Sequence, residues 1–253
     1  MKTNYTIAVA IILAGLSSVA AADFYTQNFD SMGAQGTTPP SGWSMLYLSG
    51  NSSSLVIPTG AEMATATAGQ STLVIWNQTE GNDSWFNQAG NMGSSSSSSN
   101  RLLGTSPTGS RGSMLQLSLP NTSGQAINYV TLSYDMECMS LGTLQSGYSQ
   151  THEELPGYSF YYLNGSTWTH VPSLDLSNDG LSSIGHGSAT INFSTPVANG
   201  GTIQFRWFDD DSMYFSPDFM FAIDNVVVNV PEPASLSLLV VGALALISRR
   251  RKA

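Results

Sequence analysis

Between residues 114 and 230 the chain keeps a rhythm of short apolar runs separated by polar, turn-forming segments, and this restricts its fold more than any other feature. The runs are 114–119, 129–136, 158–163, 189–193, 202–208 and 219–230. Runs of this length bounded by turn residues read as β-strands. Val226-Val227-Val228 in the last run suits an interior strand, where β-branched side chains pack well. Asn164-Gly165 ahead of Trp168 predicts a two-residue hairpin, and Asn199-Gly200-Gly201 a second turn. No stretch of the body has the i, i+3, i+4, i+7 apolar spacing of an amphipathic helix. About eleven short strands within one body point to an all-β, jelly-roll-like antiparallel β-sandwich.

Two polar segments have no strand pattern. The six serines at 94–99 have nothing to bury and read as a surface loop, and 142–157 reads as a long loop between strands. Charge is scarce, at 10% of residues against about 25% in average globular chains. Between the two ends only Arg101, Arg111 and Arg206 oppose sixteen acids, a formal charge of −13. Such a polyanion repels phosphate backbones, so nucleic acid is excluded as a partner. The single cysteine, Cys138, rules out an internal disulfide framework and any Cys-based zinc site, and is expected to be buried and inert.

The ends read as addresses. Lys2, the apolar stretch 7–16 and the small residues Ala20-Ala21-Ala22 make 1–22 a secretory signal peptide, with cleavage expected between Ala22 and Asp23. Ten apolar residues are too few to span a bilayer core of about 30 Å. At the other end Pro231-Glu232-Pro233 precedes an apolar run, 234–247, and then Arg249-Arg250-Arg251-Lys252. The run is expected to be a short transmembrane helix. Its basic cap holds the tail on the cytoplasmic side and the body outside.

Those three parts in that order resemble the PEP-CTERM sorting signal of Gram-negative bacteria with extracellular polysaccharide systems. The resemblance assigns 230–253 to the signal, with Pro231, Glu232, Pro233, Arg249, Arg250 and Arg251 as its recognised residues. It implies an exosortase-type membrane protease as partner, and an inner-membrane intermediate on the way to the cell envelope, surface or matrix. The body, 23–229, is similar to the jelly-roll modules of secreted bacterial proteins. That likeness rests on Asn28-Phe29-Asp30, Pro40-Ser41-Gly42-Trp43, 100–104, 134–137, 200–207 and 222–226. It implies an accessory or display module.

Candidate chemistry is sparse. No Gly-x-Ser-x-Gly elbow is present. Asp135 and Glu137 alternate on a predicted strand and share a face, as an acid pair for glycoside hydrolysis would, but a solvated edge is the plainer reading. His152, His170 and His186 are scattered, and each reads as a surface histidine. The segment 175–180 places oxygen donors like the start of a calcium loop, but position 12 is His186, so a turn is the better reading. Asp30, Asp209, Asp211 and Asp224 flank the first and last predicted strands. If they converge, a structural calcium (Ca2+) would relieve their repulsion. Of the tryptophans, Trp43, Trp168 and Trp207 read as core, and Trp85-Phe86 as exposed stacking platforms for sugars. Together these features predict an exported, non-catalytic envelope or matrix protein with extracellular polysaccharide as a candidate ligand. The competing class is a secreted carbohydrate-active enzyme such as a glycosidase.

Overall fold

The computed structural model describes residues 23–50, 57–78, 84–141, 156–177, 181, 184–211 and 219–230. Its strands are β1 (Asp23–Gln27), β2 (Trp43–Leu48), β3 (Thr67–Ala68), β4 (Val74–Asn77), β5 (Gly90–Gly93), β6 (Leu102–Thr105) and β7 (Gly112–Pro120). Then follow β8 (Ile127–Ser140), β9 (Ser159–Asn164), β10 (Thr167–His170), β11 (Ile184–Val197), β12 (Thr202–Asp210) and β13 (Met220–Asn229). They form two sheets, an all-β sandwich with jelly-roll-like connections. Sheet A runs β11-β8-β13-β6-β5-β4, and sheet B runs β10-β9-β12-β7-β2-β3. Every pairing is antiparallel except β4 with β5.

One edge of β13 is shared. Val226–Asn229 pair with β1, whereas Phe221–Ile223 pair with β6. Between them the register with β8 shifts after Asp224, and Asn225 takes a left-handed φ of 49°. This is a β-bulge; asparagine tolerates that conformation better than most residues. Ile223 and Val226 both reach the core across it, so the bulge leaves Asp224 on the outer face.

Alternation builds three apolar layers. Leu103, Leu115, Tyr134, Phe160, Trp207 and Phe221 are among the residues between the sheets. Residues of opposite parity, including Leu102, Met139, Met220 and Ala222, meet Trp76 and Trp85 on the outer face of sheet A. On the outer face of sheet B, Met114, Tyr161, Trp168 and Phe208 meet Met63. Met63 comes from the one-turn helix α1 (Gly60–Met63), whose N-terminus is closed by a capping box: Thr59 accepts from Glu62 N, and Glu62 accepts from Thr59 N.

Several sequence expectations shift. The hairpin loop between β9 and β10 is Gly165-Ser166, one residue later than predicted, because Asn164 pairs with Thr167. Gly165 supplies the positive φ of 64° that the turn needs. Trp85 is buried, not exposed: it lies over Gly90, where any side chain would meet its ring, and it closes the outer apolar layer. Phe86 is exposed and rests against Tyr47, ring centroids 5.8 Å apart. Trp43, Trp168, Trp207 and Cys138 are buried. Among the described residues no helix is long and apolar enough to cross a membrane. The signal peptide, the short transmembrane helix expected over 234–247, Pro231, Glu232, Pro233 and the terminal arginines lie outside the described residues, as does His152.

Candidate functional site: an open polar face on sheet A

The β4–β6 half of sheet A is roofed by Trp85, but the β8–β11 half is open. There the outward residues of β8 are Tyr129, Thr131, Ser133, Asp135 and Glu137; beside them on β11 stand Asn192, Thr190, Ser188, His186 and Ile184. The strand alternation that points Leu132, Tyr134 and Met136 inward turns these residues out. Eight steps along β8 at about 3.4 Å give a polar strip roughly 27 Å long. An exposed ring, Tyr129, marks one end (42% exposed), and Ile184 marks the other (66%).

At the Ile184 end the bulge of β13 brings acids together. Asp224 pairs in register with Asp135. Asp135 is held by His186 Nδ1 at 2.7 Å and by the Asn225 amide, whose Nδ2 donates at 2.8 Å. Asp224 Oδ1 accepts the backbone N–H of Asn225 at 2.7 Å. Asp30 stands where β1 hands β13 over to β6, its Oδ1 accepting Arg101 N at 2.9 Å. Burial, together with the charges of Asp30, Asp135 and Glu137, pushes the Asp224 carboxyl up to about 6, against the pull of the Asn225 N–H. Burial also raises Glu137. Asp135, Glu137 and Asp224, with Asn100, Leu102, Ile184 and Asn225, line a hollow of about 170 Å3. Small-molecule pockets start near 300 Å3, so the hollow cradles part of a ligand lying across the sheet. It offers carboxyl oxygens as acceptors, the Asn side chains as donors and acceptors, and one carboxyl that takes a proton near pH 6.

The four acids expected to bind calcium do not converge. Asp209 is buried at the Thr105 position of the sandwich, bonded to the Thr105 hydroxyl, which also meets Tyr158 OH. Asp211 Oδ2 accepts Ser110 N at 3.3 Å. Only Asp30 and Asp224 reach the bulge, because Asp209 and Asp211 belong to the other sheet's strand and its exit. Among the described residues no group of three or more His, Cys, Asp or Glu is placed to hold a metal ion. Asp175 is likewise committed, binding Phe160 N at 2.9 Å and His170 Nε2 at 2.8 Å. Asp135 and Glu137 share a face as the sequence suggested; Asn225, His186 and Asn100 were not foreseen there.

Residues 229–252 match the PEP-CTERM protein-sorting motif, which begins on the last residue of β13. The chain is therefore an exported protein: a β-sandwich carrying a C-terminal sorting signal. No curated protein matches it in sequence. Among solved structures, the tandem CBM22-1–CBM22-2 domain of Paenibacillus barcinonensis Xyn10C is similar at 8% identity and a TM-score of 0.41, over 86% of this chain and 47% of that one. The chain thus spans about half of that structure. A cyclase from Fischerella sp. TAU is similar at 14% identity and a TM-score of 0.44, over 84% of this chain and 98% of that one. A xylan-binding domain from CBM 22 is similar at 12% identity and a TM-score of 0.34, over 84% and 97%.

Proposed function

We propose that this protein is a non-catalytic component of the cell envelope or extracellular matrix of a Gram-negative bacterium, and that it binds extracellular polysaccharide along the open face of sheet A. The sorting motif supports export through the inner membrane, with an exosortase-type protease acting on the tail. The observation that carries the ligand class is the polar strip between Tyr129 and Ile184. A flat row of hydroxyl, amide and carboxyl groups matches the donors and acceptors of an extended glycan, and Tyr129 offers a ring for stacking. Affinity electrophoresis of the purified protein through gels cast with soluble polysaccharides tests the reading. At least one neutral polysaccharide should retard it, with Tyr129→Ala and Asp135→Ala restoring mobility. Retardation by none, or retardation indifferent to both substitutions, would defeat it.

A glycosidase reading has one observation behind it: a carboxyl titrating near 6 beside a second carboxyl in register, the pattern of acid–base pairs. Hydrolysis needs the two groups to flank the scissile bond. Asp135 is engaged by His186 Nδ1 and Asn225 Nδ2, and Asp224 by Asn225 N, contacts that hold both carboxyls as fixed acceptors and favour binding. Release of reducing ends that Asp224→Asn abolishes would reverse that choice.

A further inference from the structure

The edge of the sandwich opposite the polar strip is incompletely filled. There sheet B ends in the two-residue β3 and sheet A in the four-residue β4, and residues 69–73 cross from one to the other. Beneath this crossing a cavity of about 230 Å3 opens between the sheets. Trp43, Met45, Leu73, Leu103 and Leu115 wall it, and Ala89 leaves the space a larger side chain would fill. Its mouth passes Gln70 and Ser71, both exposed.

The polar groups around it are already engaged. Gly69 N donates to Met45 O, Gln70 N to Asn87 O, Leu73 N to Thr37 O and Val74 N to Ala89 O. Trp43 Nε1 donates to Tyr25 OH at 2.7 Å, so the indole turns only its ring to the space. A cavity with apolar walls and no free polar partner holds water poorly, and one of about 150 Å3 takes benzene. This one is larger and has polar side chains only at its rim.

We propose that this cavity is a second binding site, for a small ring compound that buries an apolar body against Trp43, Leu103 and Leu115 and leaves one polar substituent at Gln70 and Ser71. It is separate from the sheet A face: neither Asp135 nor Tyr129 touches it, and it suits hydrophobic rings, where the strip suits hydroxyl-rich chains. The site therefore stands whether or not the protein binds polysaccharide.

The test uses the full-length protein and p-cresol, one ring with one hydroxyl, followed by saturation-transfer NMR and by the thermal melting curve. Saturable binding that raises the melting temperature is expected. Ser71→Trp, at an exposed position that leaves the core untouched, should close the mouth and weaken binding by about tenfold or more. Ala89→Leu should fill the cavity with the same result. Glucose should not compete. The proposal is overturned if p-cresol shows no saturable binding, or if Ser71→Trp, with the melting curve of the wild type, binds it equally well.

Discussion

Arg101 holds Asn91 by two bonds at once, its Nε donating to Asn91 Oδ1 and its Nη2 to Asn91 O, each at 2.7 Å. Asn91 passes the tie on: its Nδ2 donates to Gly33 O at 2.9 Å and Gly36 O at 2.8 Å. Both residues are fully buried. They fasten the β1–β2 connection to β5 and β6, next to Asp30. Removing the Asn91 side chain leaves buried Arg101 Nε without this acceptor and the carbonyls of Gly33 and Gly36 without their donor, while the bond to Asn91 O remains, which costs about 1–3 kcal/mol. Asn91→Ala should therefore lower the urea midpoint sharply with little change in slope. Arg101→Lys should not rescue it, since an ammonium lacks the planar fork. A loss below about 1 kcal/mol would show the tie to be dispensable.

The second prediction concerns pH. Asp224 titrates near 6 in the folded protein, above its ordinary 3.8, so the folded state holds the proton more tightly than the unfolded chain. Stability should thus be greatest below about pH 4 from this group and fall as pH rises towards 6, by on the order of 2 kcal/mol. Asp224→Asn keeps the acceptor for Asn225 N and removes the charge. Its melting temperature should exceed that of the wild type at pH 7.5, and the slope between pH 4 and 6 should flatten. Repeating the titration in millimolar calcium reads whether a cation can replace the proton: one bound at Asp30 and Asp224 would stabilise the wild type at neutral pH and not the variant. Asp209→Asn and Asp211→Asn should leave any calcium effect unchanged.

A third prediction ranks the contacts around α1. Arg111 Nη1 meets Glu62 Oε1 at 2.6 Å, and together with Thr59 it holds the Glu62 carboxyl down at about 2. The carboxylate is largely exposed, so the bridge is worth less than its short distance suggests. Arg111→Ala should cost under about 1 kcal/mol, whereas Thr59→Ala, which opens the cap, should cost about 1 kcal/mol. Because the Glu62 value is lowered, its stabilisation is present above about pH 4.5 and fades as pH falls towards 2. Urea melts of the two variants at pH 7 and pH 3 check the order.

The fourth concerns sorting. Replacing Arg249, Arg250 and Arg251 with Ser weakens the charge that keeps the tail cytoplasmic. Pulse-chase fractionation should show the variant leaking past the inner membrane with its tail uncut. Processing equal to the wild type would refute it.

The strands legible in the sequence are those that carry long apolar runs into the main core: β7, β8, β9, β12 and β13. β11 runs from Ile184 to Val197, well beyond the five residues its apolar signal marked, because its outward side chains are His, Ser, Thr and Asn. β5 and β6 are short and carry glycines, so their pairing shows only in three dimensions. α1 was overlooked although Thr59-x-x-Glu62 is a capping-box signature; a single turn is too short for periodicity to reveal. The acid cluster was half legible. Asp135 and Glu137 share a strand, but Asp224 lies across a register that one chain cannot announce, and the mid-strand Asn225 was the hint of a bulge.

β13 has neighbours on both edges, yet it abuts the sorting motif. During N-to-C export it is the last strand to arrive. Until then β8 with β11, and β6 with β5 and β4, wait as two fragments with bare edges, the state most prone to pair with another chain. Because the sorting motif begins on the last residue of β13, no spacer separates the strand that closes this gap in sheet A from the tail that follows it.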